Sequence, residues 1–307
     1  MFPLHRGAES HRPINATIGS CGHRFASLLH AASTMSLRFL IPAFTLLLLA
    51  GPVEAQVGAD LNISPKRVVF GPGERSATVY IFNQGDSEAT YTVETVDRLM
   101  LADGQIVAAA DRPEIAVNSA SDLVQYTPRR ITLQPRESQA IRVRARPGAA
   151  AGEYRTHLTV TALPSEDTGF TVQQATQQGG GEVSLQVVAL FSVSIPVIVR
   201  DGPADARAAI ENPTVVQEGE ARLLSLDLVR LGASSVYGDV EILTGQGADA
   251  KIVTAVRGVA VYPEVARRTV VAALPADVGA GQVLTIVYRD DDAKKGEVLA
   301  TTTLVAP

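Results

Sequence analysis

The stretch "EVSLQVVALFSVSIPVIVR", Glu182 to Arg200, decides the fold. Val183, Leu185, Val187, Ala189, Phe191, Val193, Ile195, Val197 and Val199 all fall on one parity, which is the period of a β-strand and not of a helix. Read as one strand, the segment is about three times the usual length. Val188 and Leu190 make its middle apolar on both faces, which a strand crossing a single sandwich does not need. Two readings stay open from the strand alone: it crosses a sandwich and buries one face, or it lies at a sheet edge and is a template for a strand of another chain.

Before this stretch, from Leu61, short alternating runs are cut by turn residues. "RVVF" ends at Gly71-Pro72-Gly73, "SATVYIF" at Asn83-Gln84-Gly85-Asp86, and "ATYTVETV" runs toward Asp103-Gly104. "ITL" meets Gln134-Pro135-Arg136, "QAIRVRAR" stops at Pro147-Gly148, and "EYRTHLTVTALP" follows. About seven short strands with Gly, Pro, Asn and Asp turns predict an antiparallel sandwich. "SEDTGFTVQQATQQGG", after Pro164, reads as a mobile connection. After the long strand, "RDGPADA" (Arg200 to Ala206) supplies a Gly/Pro break, placed as the domain boundary. "LLSLDLVR", "SVYGDVEILT", "KIVTAVRGVAVYP", "RTVVAALP", "VLTIVYRDDD" and "EVLATTTLV" then predict a second small sandwich. The expectation is an all-β chain with a first domain over 56–200 and a second over 201–307.

Met35 opens "MSLRFLIPAFTLLLLAGPVEAQ", with Arg38 as a positive n-region, Phe39 to Ala50 as an apolar h-region and Val53-Glu54-Ala55 as a cleavage signal. Residues 35–55 are therefore expected to be a signal peptide cleaved near Ala55. Its apolar run is too short for a bilayer span, so no membrane insertion of the mature chain is expected. Residues 1–34 hold four of the five histidines and read as a mis-called N-terminal extension upstream of the true start. Without residues 1–55 the chain has 23 basic and 30 acidic side chains and no basic cluster, so nucleic acid is not an expected partner. The single cysteine, Cys21, falls in the removed part, which excludes disulfides, a thiolate metal site and a thiol nucleophile from the mature chain.

Chemistry is sparse. His157 is the one histidine left, and a strand histidine of its parity reads as structural. No spacing supplies three or four zinc ligands, and Gly179-Gly180-Gly181 runs into a strand where a phosphate loop would open a helix. Asp290-Asp291-Asp292 lacks EF-hand spacing and reads as a solvated acidic loop. Glu153 has no identifiable partner for glycoside chemistry. No enzyme, no metal and no cofactor are expected.

The order of "ISPKRVVFGPGERSATVYIFNQG", "ITLQPRESQAIRVRARP", "GEYRTHLTVTALP" and "SIPVIVRDGP" resembles the periplasmic pilus-assembly chaperones of the chaperone-usher pathway, the PapD-like proteins. The resemblance spans most of Leu61 to Val305. It implies two immunoglobulin-like β-sandwich domains in an L-shaped arrangement and a periplasmic location. It also implies a donor strand whose alternating side chains complete a pilus or fimbrial subunit with an incomplete immunoglobulin-like fold, which is then delivered to an outer-membrane usher. Carried over from Arg200, the donor side chains are Leu185, Val187, Ala189 and Phe191, with Val183 as a fifth. Arg67 matches the first residue of a basic pair that anchors the subunit's C-terminal carboxylate. The second, a lysine, is replaced by Pro196, which carries neither charge nor N–H. Lys66 and Arg155 are the candidate helpers, and the departure points to a divergent, archaic branch. Glu153 and Arg200 fall on an interdomain ion-pair network completed by Asp290 or Asp291. The competing class is a secreted two-domain structural or adhesive module.

Overall fold

The computed structural model describes residues 61–164, 190–245 and 247–307. The first sandwich contains β1 (Leu61–Ser64), β2 (Val68–Phe70), β3 (Ser76–Asn83), β4 (Ala89–Val96), β5 (Arg98–Met100), β6 (Ile106–Ala108), β7 (Val124–Thr127), β8 (Arg130–Leu133), β9 (Ser138–Ala145), β10 (Gly152–Ala162) and β11 (Ser192–Asp201). One sheet has the order β1-β3-β9-β7, the other β2-β11-β10-β4-β8, and β5 and β6 form a separate hairpin. The second sandwich contains β12 (Ala208–Glu218), β13 (Ala221–Arg230), β14 (Val236–Thr244), β15 (Lys251–Val261), β16 (Arg267–Leu274), β17 (Val283–Asp290) and β18 (Val298–Val305). Its sheets are β12-β13-β16 and β15-β14-β17-β18. No α-helix occurs among the described residues. The chain is all-β, with two immunoglobulin-like sandwiches.

Each sandwich closes on its own core because alternate side chains of each strand point inward. Ile63, Val79, Tyr91, Ile141, Leu158, Val160 and Val197 meet in the first, and Leu224, Leu228, Val240, Ile242, Leu284, Ile286 and Tyr288 in the second. Both belong to one compact unit. A third, smaller cluster joins them: Met100, Ile198 and Val69 of the first sandwich pack with Ala260, Tyr262 and Tyr237 of the second. The β5–β6 hairpin carries Met100 into that seam, and the turn between its strands accepts a hydrogen bond from the second sandwich: the Thr269 amide of β16 donates to the Ala102 carbonyl at 3.0 Å.

Two features depart from the reading of the sequence. The described part of the long strand is β11, which starts at Ser192; Val183, Leu185, Val187 and Ala189 lie outside the described residues. β12 has no counterpart among the predicted strands. Its Asn212-Pro213 pair reads as a break, and the structure accommodates it with a bulge between Glu211 and Thr214 on an edge strand, with Asn212 at φ 51°.

β11 is flanked unequally. On one side it pairs with β10 from Ser192 to Asp201, antiparallel. On the other, β2 pairs with it in parallel only at Val197, Ile198 and Val199. Pro196 therefore sits one residue before the β2 ladder begins, where its missing N–H removes no bond to that strand.

Candidate functional site

One face of the β10–β11 pair gathers most of the buried polar residues of the first sandwich: Glu153, Arg155, His157, Thr159 and Arg200. On β11, Ile195, Val197 and Val199 point into the core, so Ser194, Pro196, Ile198 and Arg200 point out of it. On β10, Leu158 and Val160 point in, so Glu153, Arg155, His157 and Thr159 point out. The register places Glu153 opposite Arg200, Arg155 opposite Ile198, His157 opposite Pro196 and Thr159 opposite Ser194. The second sandwich covers the Arg200 end of this face.

There Arg200 donates from Nε to Glu153 Oε2 at 2.9 Å and from Nη2 to Asp292 Oδ2 at 2.6 Å. Arg67, entering from the loop before β2, donates from Nη2 to the same Asp292 oxygen at 3.0 Å, with its guanidinium 4.0 Å from the centre of the Tyr237 ring. The Ser235 amide donates to Glu153 Oε2 at 3.2 Å. Burial works against the Arg200 charge, but its bonds to Asp292 and Glu153 prevail and hold its pKa above the ordinary value. Arg67 keeps two buried donors, Nε and Nη1, without a hydrogen-bond partner.

The carboxylate that completes the cluster with Glu153 and Arg200 is thus Asp292, in place of Asp290 or Asp291. The turn after β17 sets the difference. Asp290 is buried and accepts the Lys294 amide at 2.5 Å, which closes the turn. Burial pushes its carboxyl above the ordinary range, against the Lys294 amide bond and together with the nearby Asp292 charge. Asp291 turns outward to Lys295 at 2.8 Å, and Asp292 alone reaches the arginines.

The two helpers proposed for Arg67 are engaged elsewhere. Lys66 is exposed and donates to Asn62 Oδ1. Arg155 is buried, stacks 3.7 Å from the Tyr262 ring centre, and donates to Glu264 Oε1 at 2.5 Å and to the Arg98 carbonyl at 2.9 Å. Glu264 also accepts the Met100 amide at 2.6 Å, so Arg155 ties the hairpin to the second sandwich. Sequence reading missed Asp292, Glu264, Tyr237 and Tyr262. The run of three aspartates did not single out one of them, and the two tyrosines look like ordinary strand residues in "SVYGDV" and "VAVYP".

At the other end of β11, Phe191 and Leu190 are 47% and 61% exposed. The Phe191 carbonyl accepts the Ala162 amide at 2.9 Å, extending the β10–β11 ladder by one residue. From Ser192 to Pro196 the far edge of β11 pairs with no strand among the described residues. No group of three or more His, Cys, Asp or Glu among the described residues is placed to hold a metal, and none of their helices is long and apolar enough to cross a membrane.

The fold and this face define a class of all-β protein: two immunoglobulin-like sandwiches fixed to one another by a buried arginine–carboxylate cluster. No protein-family model and no curated protein sequence matches the chain. Solved structures it is similar to include many PapD-like pilus chaperones. One is the chaperone–tip adhesion subunit pre-assembly complex CsuC–CsuE from archaic Csu pili of Acinetobacter baumannii, at 14% identity and a TM-score of 0.42, covering 81% of this chain and 100% of that one. Another is the E. coli chaperone DraB, at 14% and 0.40, covering 81% and 97%. A third is the Pseudomonas aeruginosa CupB2 chaperone, at 12% and 0.38, covering 80% and 100%.

Proposed function

We propose that the protein is a non-enzymatic periplasmic chaperone that caps a pilus or fimbrial subunit by lending it a strand, and then passes it to an outer-membrane usher. The observation that carries this reading is the open edge of β11 between Ser192 and Pro196, continued by the exposed Leu190 and Phe191. An unpaired edge offers a row of N–H and C=O groups to an incoming strand, and apolar side chains at alternate positions give that strand anchors. Val183, Leu185, Val187 and Ala189 continue the parity of Phe191 upstream, so the donor segment runs back along it. Each apolar side chain buried on capture contributes about 1.5 to 3 kcal/mol. Folding of the subunit against the lent strand supplies the free energy, and no nucleotide is required.

Arg67 is the proposed anchor for the subunit's terminal carboxylate. Its Nε and Nη1 are the unspent donors, and a planar guanidinium holds a carboxylate without a second cation. Glu153, Arg200 and Asp292 fix the orientation of the two sandwiches around it. Processing near Ala55 places the mature chain in the periplasm, with domains over 56–200 and 201–307.

Co-expression with a candidate subunit followed by pull-down tests the reading. The double variant Val187→Asp, Phe191→Asp is expected to fold normally and recover no subunit, because each carboxylate must be desolvated at the new ladder. Recovery equal to wild type would refute strand donation. A secreted adhesive module, the competing class, would instead bind glycan or matrix directly and form no stable 1:1 complex with a small β-protein.

A further inference from the structure

The face that carries Arg200 at one end carries a separate pocket at the other. It is open to solvent, has a volume of about 330 Å³, and is lined by Arg98, Ile106, His157, Ser192, Ser194, Pro196 and Tyr262. It shares none of these residues with the Arg67–Asp292–Arg200 cluster.

Two of its lining groups lack partners. The Arg98 guanidinium forms no ion pair and no side-chain hydrogen bond among the described residues, and its Nε is buried. His157 is 3% exposed, and its Nδ1 is buried without a partner. A buried donor or acceptor left unpaired is unfavourable. No carboxylate lines the pocket; Asp97, the residue before Arg98, accepts the Ser121 hydroxyl at 2.8 Å. Pro196 and Tyr262 supply low-dielectric walls, against which a charged contact is stronger than in water. A free guanidinium, an idle imidazole and serine hydroxyls around a roomy pocket without a resident acid match one ligand chemistry.

We infer that this pocket binds a small oxyanion, held by Arg98 as the charged partner with His157 and the serine hydroxyls completing its hydrogen bonds. Arg98 is a planar fork suited to two oxygens of one group. Burial, and after it the charges of Arg155 and Arg98, keep the His157 imidazole neutral, and an oxyanion beside it offsets the two arginines. Free phosphate and the terminal carboxylate of a polypeptide share this chemistry. With free phosphate as the ligand the inference stands apart from the chaperone reading; with a chain terminus it rests on that reading.

The test is NMR of the histidine ring protons in the full chain, with the His157 signal assigned by its loss in His157→Gln. The chain is titrated with inorganic phosphate, with a short peptide acid and with the same peptide as its amide. A saturable shift of the His157 signal with phosphate assigns a free oxyanion; one with the peptide acid but not the amide assigns a chain terminus. Arg98→Gln is expected to weaken either response at least tenfold, and Arg98→Lys, which keeps the charge, to retain part of it. A His157 signal unmoved by both anions, or an Arg98→Gln variant that responds like wild type, overturns the inference.

Discussion

Asp292 illustrates how much one side chain holds. It is the common acceptor of Arg67 and Arg200, all three being at most 13% exposed. Removing one partner of a buried pair leaves the others charged and unsatisfied, at about 3 to 5 kcal/mol. Asp292→Ala is therefore expected to lower the unfolding free energy by about that amount in urea titration, whereas Asp291→Ala, at an exposed pair, should change it by about 0 to 1 kcal/mol. Equal effects would place the cluster's weight elsewhere. His157 gives the chain an acid sensitivity. Burial, reinforced by Arg155 and Arg98, brings its pKa from the ordinary 6.5 down to about 3. Between those values the unfolded chain binds a proton that the folded chain refuses, so stability falls as pH drops through the window. The limit is roughly 5 kcal/mol, at about 1.4 kcal/mol for each tenfold difference in proton affinity. Unfolding measured from pH 7 to pH 3 should show a shallower decline in His157→Gln than in wild type.

Among the elements, β14 and β17 position the aspartate turn. Gly238 lies opposite Asp290, and a Cβ there would stand 2.0 Å from the Arg289 carbonyl oxygen, a backbone atom that cannot rotate away. Gly238→Ala is expected to cost about 1 to 3 kcal/mol and to disturb the turn that presents Asp292, read as lost stability together with faster amide exchange at Asp292. Most of the strands were legible because their inward residues alternate: "LLSLDLVR" and "VLTIVYRDDD" announce β13 and β17 by period alone. β12 was not, because an Asn-Pro pair signals a break and only a partner strand reveals that it is a bulge. The site was legible to the same degree. Parity puts Glu153, Arg155 and His157 of β10 on one face, and Glu153 and Arg200 do meet. The sequence carries no mark for Glu264, because its contact with Arg155 joins positions 109 residues apart. Nor does a row of three aspartates say which one the turn directs inward.

For the whole molecule, the seam formed by Met100, Ile198, Ala260 and Tyr262 couples two otherwise separate cores. Arg155–Glu264 and Arg200–Asp292 also bridge the two sandwiches. Such a seam predicts one cooperative transition: hydrogen exchange at Ile63 in the first core and Leu226 in the second should report the same unfolding free energy. Truncating a large buried aromatic costs about 3 to 5 kcal/mol. Tyr262→Ala is accordingly expected to part the two transitions, and a wild-type chain with two already separate ones would show that the seam does not couple them. The same strand, β11, serves both ends of this design. Its Arg200 end is fastened across the seam, while its Phe191 end is held, among the described residues, by β10 alone. Pulled along its length, it would resist like a tether bolted at the foot; pulled sideways at its tip, it would peel. A guest seated at the tip could be stripped off by a sideways tug without disturbing the fastening that keeps the two halves aligned.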